Sequence, residues 1–512
     1  MSCTTILVGK KASYDGSTII SRNDDGNFEA KKVVVVKPEN QPRKYNCVIS
    51  HLEIDLPDNP MRYTAVPSIN TKYGLWAACG INEANVGMTA TETITSNARV
   101  LGADPYVVYK KEPNPNKKKQ KESELFCVTP EYKMDKKNKK DDYLEIVGGI
   151  GEEDLVILTL PYIKSAREGV LRVASLLEKY GTYEPNGMAF NDENEVWWLE
   201  TIGGHHWIAK RVPDDRVVIM PNQFGLDNFD FDDAYGAQKE NMCSKDLKEF
   251  VEKYHLYLGR DMGAFNPRLA FGSRSDADHL YNTPRAWYLG RYFNPRTYKW
   301  DGLDADFRPD SDDIPWSFVP EAKVTIEDIK YLLSSFYQGT PYNPYSKGDD
   351  AGKYRTIGVP NTDVSGIIQI RGYMPDKLKG VEWLTLGGAN FTCAFPIYTS
   401  VNSLPKYISE TPLEASTDYL YWASRVLASL VDAHFSENIV FSERYQNEVF
   451  NKSRQLQDEF DQKMMDSKNY ELTSECNEKV VSMVKKVTGE VLLRVLNTSS
   501  NLMKTRFHRS DN

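Results

Sequence analysis

A cysteine at position 3 leads directly into a β-branched run, Thr4-Thr5-Ile6-Leu7-Val8, and this opening constrains the chain more than any other feature. Such a run has the propensity of a buried strand. Tyr14-Asp15-Gly16-Ser17 is a turn signal, and Thr18–Arg22 reads as the strand that returns. When two such strands pair antiparallel, the end of the second comes back to the start of the first. Arg22, with Asn23, Asp24 and Asp25 behind it, is thereby expected beside Cys3. Asp24-Asp25-Gly26-Asn27 reads as the break that ends the second strand.

A free thiol has a pKa near ~8.5, so little thiolate exists at neutral pH without help. A guanidinium beside it favours the thiolate. A terminal α-amine, with a pKa near ~8, can act as base for the thiol of the same residue. That requires Cys3 to be the first residue of a mature chain. Met1 is expected to be lost before the small Ser2, and attack of the Cys3 thiol on the Ser2 carbonyl is a route to removing the rest. Without this setting an early cysteine is only a small hydrophobe at a strand start.

The chain of 512 residues carries 63 basic and 72 acidic side chains, and its net charge of −9 argues against a dedicated nucleic-acid binder. No apolar run approaches the ~18 residues of a membrane helix, and the amino terminus lacks the basic and apolar segments of a secretory signal. The seven cysteines, at 3, 47, 79, 127, 243, 393 and 476, are odd in number and widely spaced. They suit free thiols in a reducing compartment, so a cytoplasmic protein is expected. There is no Cys-x-x-Cys, no His-Glu-x-x-His, no phosphate loop, no dinucleotide fingerprint and no Gly-x-Ser-x-Gly elbow, so no metal centre is expected. His205-His206 sits in the strand-like stretch Thr201–Arg211, where neighbours point to opposite faces, and a structural role is expected for the pair.

Further along, Val33–Lys37 reads as a strand, and Leu75–Cys79 and Gly87–Thr93 as hairpin partners around Ile81–Asn85. Lys110–Asp142 is a lysine-rich surface insert, solvated or, as the lesser reading, an electrostatic docking patch. Ordered chain resumes at Asp154–Leu160. Ser165–Tyr180 carries Val170, Val173, Leu176 and Leu177 at the spacing of an amphipathic helix. Met188–Phe190, Glu195–Glu200, Trp207–Arg211 and Arg216–Met220 read as a β-meander, and Ser365–Arg371 and Ala389–Ile397 as late strands. Thr417–Val431, Glu443–Met465 and Glu475–Leu496 read as helices whose apolar stripes face a core or a homo-oligomer contact. The order points to an α+β fold with a helical C-terminal part.

Cys3-Thr4-Thr5-Ile6-Leu7-Val8-Gly9, Tyr14-Asp15-Gly16-Ser17 and Arg22-Asn23-Asp24-Asp25 together resemble the start of the PepD-type dipeptidases (dipeptidase A). These are cysteine peptidases of the N-terminal-nucleophile (Ntn) hydrolase superfamily, related to choloylglycine hydrolase and penicillin V acylase. The similarity continues through Trp76–Thr93, Gly148–Leu160 with Pro161-Tyr162-Ile163-Lys164, Trp197-Trp198-Leu199-Glu200 and Pro221-Asn222-Gln223, and so covers most of residues 1–400. It implies a four-layer αββα sandwich of antiparallel sheets over residues 1–405, followed by a helical extension at 406–512. It also implies autocatalytic exposure of the cysteine and hydrolysis of many dipeptides with neither metal nor other cofactor. The partners expected are dipeptide substrates and further copies of the chain, not nucleic acid or a membrane.

By the same resemblance, Cys3 matches the nucleophile, and Arg22 and Asp25 match the pair that supports the thiol and the free amine. Asn222 resembles the asparagine that donates to the oxyanion. Arg285, in Asn282-Thr283-Pro284-Arg285, resembles a later active-site arginine and is a candidate for holding a substrate carboxylate. One departure stands out. Where the acylases carry another asparagine, this chain aligns Glu92 or Thr91. A carboxylate cannot stabilise an anion, so either a backbone N–H replaces that donor or Glu92 binds the substrate ammonium. An N-acyl amidase or acylase of the Ntn type, and a secernin-like interaction protein without peptidase activity, remain as alternatives.

Overall fold

The run after Cys3 forms β1 (Thr4–Val8), and the chain returns as β2 (Thr18–Asp25). The computed structural model describes residues 3–26, 29–72, 74–89, 92–113, 143–260 and 265–505. Thr91, the residues before Cys3 and most of the lysine-rich insert lie outside them. The expected hairpin forms in the register Thr4↔Asn23, Thr5↔Arg22, Ile6↔Ser21. β2 is longer than its sequence indicates, because Asp24 and Asp25 do not end it. Its far edge pairs with strand Thr362–Ile370, matching Ser365↔Asn23, Val364↔Asp24 and Thr362↔Asp25 across a bulge. All eight residues of β2 are buried, including its polar half.

Seven antiparallel strands make the first sheet, in the order Ser317–Phe318, Val217–Met220, β1, β2, Thr362–Ile370, Gly380–Leu386 and Phe395–Tyr398. The second runs Asn241–Cys243, His206–Arg211, Val196–Ile202, Asn186–Asn191, Gly87–Thr89 and Cys79–Ile81, with Glu92–Thr93 also on the Asn186–Asn191 strand. The meander therefore has three members, not four. After the Pro213-Asp214-Asp215 turn the chain leaves the second sheet, and Val217–Met220 pairs with β1 in the register Thr5↔Met220. That crossing carries Asn222, two residues on, toward the start of β1.

Other expectations shift for local reasons. The Cys79↔Thr89 hairpin forms. Its first strand begins only at Cys79, because Trp76, at φ 42°, sits in the left-handed region. The segment resuming near Asp154 is the helix Glu152–Thr159. The late strand shrinks to Phe395–Tyr398, since Gly387 and Gly388 both take positive φ and turn the chain. His205 lies in the turn before strand His206–Arg211, so both rings reach one carboxylate, Asp104, at 2.9 and 2.6 Å. They do not face opposite ways, and they tie this turn to the end of helix Ala98–Ala103.

Period-2 alternation shows how the second sheet is covered. Met188, Phe190, Trp197, Leu199, Trp207 and Ala209 pack with Val170, Val173 and Leu177 of helix Ala166–Tyr180. Their neighbours Ala189, Val196, Trp198 and Ile208 belong to the core of the first sheet. The two sheets approach closely: a Cβ on Gly366 of the first would lie 2.6 Å from Cys79 Sγ of the second. Helices Leu420–Ala433, Phe435–Ser467 and Leu472–Asn501 cover the first sheet and share its core. Trp383 stacks on Phe450, Arg371 forks onto Asp461, and Tyr421 donates to Asp363 at 2.7 Å. Among the described residues no helix is long and apolar enough to cross a membrane.

Candidate active site

Cys3 sits at the head of β1 with 1% of its surface exposed. The hairpin register places Arg22 against it, and Arg22 Nη2 donates to Cys3 Sγ at 2.9 Å. The same nitrogen lies 3.2 Å from Asp24 Oδ1, and Lys31 Nζ lies 2.9 Å from Asp24 Oδ2. A buried Lys31–Asp24–Arg22 relay thus ends on the thiol. Burial pushes the Cys3 thiol up, Arg22 opposes it, and Asp25, Asp24 and Glu92 push it further, to about 11. The thiol is protonated at neutral pH here, so attack requires a group that takes its proton.

Asp25 acts at one remove. Its charge bears on Cys3, but its own oxygens accept from Arg355 Nη2 and Thr362 Oγ1. Asn23 is structural: its amide donates to the Leu333 carbonyl at 2.7 Å, and its oxygen accepts from Ser365.

Arg285 lies in the first turn of helix Thr283–Phe293 and is fully buried. Nη1 donates to the Cys3 carbonyl and, at 2.8 Å, to Thr4 Oγ1. Nη2 donates to Asn222 Oδ1 at 2.9 Å and Asn282 Oδ1 at 2.8 Å, and Nε donates to the Tyr281 carbonyl at 2.5 Å. A guanidinium has five N–H groups, and these five contacts use them all. Arg285 therefore orients Cys3 and Asn222, with no N–H left for a substrate carboxylate. Asn222 is fixed from its other end as well, Nδ2 donating to the Thr93 carbonyl at 2.8 Å.

Glu92 is wholly buried, and among the described residues neither carboxylate oxygen has a hydrogen-bond partner of good geometry. Burial raises its pKa to about 7, while the Thr5 hydroxyl, Arg285 and Arg22 hold it down and Asp25 adds to the rise. A carboxyl beside Cys3 whose oxygens find no well-formed hydrogen bond among the described residues is equipped to meet a cation. Lys31, Asp24, Arg355 and Asn282 complete the site; the sequence placed Asp24 beside Cys3 with Arg22 and gave the other three no role, although Asn282 stands in the motif that carries Arg285. Among the described residues no group of three or more His, Cys, Asp or Glu side chains is placed to hold a metal ion.

A thiol held by a guanidinium, with an asparagine amide locked to the same residue through Arg285, is the arrangement of a cysteine hydrolase acting on acyl compounds. The model of peptidase family C69 matches residues 2–448, and the chain belongs to that family. It is 52% identical over 456 residues to a dipeptidase of Bifidobacterium longum, covering 88% of this chain and 80% of that protein. It is 44% identical to a probable dipeptidase A of Streptococcus pyogenes across 100% of both chains. With dipeptidase A of Lactobacillus helveticus it shares 39% identity over 99% of each.

Proposed function

We propose that the chain is a dipeptidase that uses Cys3 as an N-terminal nucleophile once the residues before it are removed. The observation that carries this reading is the contact between Arg22 and the Cys3 thiol, with Arg285 joining Cys3 to Asn222. The freed α-amine takes the thiol proton, and the thiolate attacks the peptide carbonyl. The Asn222 amide and a backbone N–H hold the oxyanion; one such donor is typically worth ~10²–10³ in rate. The ammonium then protonates the leaving amine, and a thioester remains on Cys3. Water, deprotonated by the same amine, releases the acid and restores the thiol.

Removal of the leader follows related chemistry. The thiol adds to the Ser2 carbonyl, the bond to the Cys3 nitrogen breaks, and water cleaves the resulting thioester. Glu92 receives the substrate ammonium, which distinguishes a dipeptide from an N-acyl compound. The facing sheets, with helix Ala166–Tyr180 on one and the C-terminal helices on the other, support the αββα layering of an Ntn hydrolase. Residues 1–405 carry the catalytic side chains, and the helices of 406–512 supply the layer over the first sheet and join copies of the chain through their outer faces. The six cysteines among the described residues are all free, which supports a cytoplasmic setting.

The test is release of amino acids from Leu-Leu in EDTA by wild type and Cys3→Ala, with intact masses of both. Chelator-resistant activity that vanishes in the variant, with Met1 and Ser2 absent from the wild-type mass, is expected. Activity retained by Cys3→Ala overturns the reading. Cleavage of N-acetyl-Leu-Leu as fast as Leu-Leu replaces the dipeptidase with an acylase.

A further inference from the structure

Among the segments with a family resemblance, Trp197-Trp198-Leu199-Glu200 has no part in the chemistry above, and its last residue is unusual. Glu200 lies in strand Val196–Ile202 and is wholly buried. By alternation it shares the face of Trp198, toward the first sheet. A carboxylate is costly to bury unless hydrogen bonds meet it, and two backbone donors of one turn do so. Gly225 N donates to Glu200 Oε1 at 2.6 Å, and Leu226 N to Oε2 at 3.4 Å.

That turn begins at Asn222, and Arg268 grips it from the other side. Arg268 Nη2 and Nε donate to the Gly225 carbonyl at 2.6 and 3.2 Å, and the Arg268 backbone N–H donates to the Leu226 carbonyl at 2.9 Å. Two further bonds, from Nη1 to the carbonyls of Asp312 at 3.1 Å and Ile314 at 2.8 Å, fix the guanidinium itself. The N–H groups of Gly225 and Leu226 are thus held by the Glu200 carboxylate, the Gly225 carbonyl by the Arg268 guanidinium and the Leu226 carbonyl by the Arg268 backbone N–H.

We propose that Glu200 and Arg268 are positioning residues that clamp the 222–226 turn from opposite sides and thereby set the Asn222 amide against Cys3. The proposal rests on the reading of Asn222 as an oxyanion donor. It explains why a buried carboxylate stands in a strand of the second sheet while the nucleophile belongs to the first. A misplacement of about 1 Å in such a donor can cost ~10² in rate, without contact between the displacing residue and the substrate.

The experiment is a double-mutant cycle on Leu-Leu hydrolysis with Glu200→Gln, Asn222→Ala and the pair. Glu200→Gln keeps the shape and one acceptor oxygen. It is expected to lower kcat about tenfold with KM within about twofold, and to add nothing in the Asn222→Ala background. Losses that multiply in the double variant, or an unchanged kcat in Glu200→Gln while Asn222→Ala is impaired, overturn the clamp and leave the oxyanion reading standing. Wild-type kcat in Asn222→Ala overturns both. If Glu200→Gln does not fold, Arg268→Lys reaches the same turn from its carbonyl side and completes the same cycle.

Discussion

Arg285 Nη2 lies 2.9 Å from Asn222 Oδ1, while its other terminal nitrogen donates to the Cys3 carbonyl. One planar cation thus sets the spacing between Cys3, the proposed nucleophile, and Asn222, the proposed oxyanion donor. The two arrive from different strands, β1 and the segment after Val217–Met220, and no local sequence relation joins them.

Arg285→Lys keeps the charge and loses the fork, since an ammonium cannot reach five fixed acceptors. The expected result is a fall in kcat of about 100-fold with KM little changed, measured by steady-state hydrolysis of Leu-Leu. A kcat within about threefold of wild type would show that the guanidinium geometry does not matter to the reaction.

Arg22 is the cation that favours the Cys3 thiolate. Arg22→Met leaves the burial and the carboxylates that push the thiol up, and removes what opposes them. The pH midpoint of iodoacetamide inactivation is expected to rise by about one unit or more. An unchanged midpoint sinks the assignment.

Glu92 gives a pH signature with a definite sign. Its pKa is raised to about 7, so it is protonated and uncharged on the acid side. Arg22 and Arg285 face it and stay cationic through this range, and Asp25 lies near it as well. Binding of a substrate ammonium needs the carboxylate, so Glu92 contributes to kcat/KM for a free dipeptide a limb that rises with pH up to about 7. Glu92→Gln is expected to lose that limb and to lower kcat/KM by about tenfold or more. Undiminished activity of the variant on free dipeptides counts against ammonium binding.

What the sequence disclosed about the site followed locality. The β1–β2 hairpin needs one turn and a period of two, so Cys3 and Arg22 could be brought together from their own neighbourhood. The C-terminal helices were legible for the same reason, as periodic stripes. Asn222 depends on a crossing between sheets that periodicity does not encode, and it was reached only through family resemblance. Lys31 and Arg355 come from segments whose local sequence carries no chemistry, and only the packed fold aims them. Strand Gly380–Leu386 escaped notice because both its faces are buried, Glu382 included, so no polar alternation marks it.

Lys330 offers a test of the frame that holds the site. It lies on helix Ile326–Leu333, whose Leu333 carbonyl accepts from Asn23. Lys330 Nζ is buried and donates to Ser334 Oγ, to the Ala389 carbonyl at 2.8 Å and to Gln446 Oε1 at 3.4 Å. Burial pushes its pKa from 10.5 down to about 7, opposed only by the nearby Cys393 thiol. That thiol is itself pushed up to about 11, so it is neutral over most of the window. Between these pH values the unfolded chain holds a proton that the folded chain has released, so this group makes stability rise with pH from about 7 toward 10.5. Below that window both states are protonated and the cost of the buried charge is present in full. Ser334 Oγ still donates to the Ala389 carbonyl at 3.0 Å without the lysine. Lys330→Met is therefore expected to melt about 2 °C or more above wild type at pH 6, with the gap closing by about pH 10. Parallel Tm profiles for the two proteins across this range would mean that Lys330 is not held neutral in the fold.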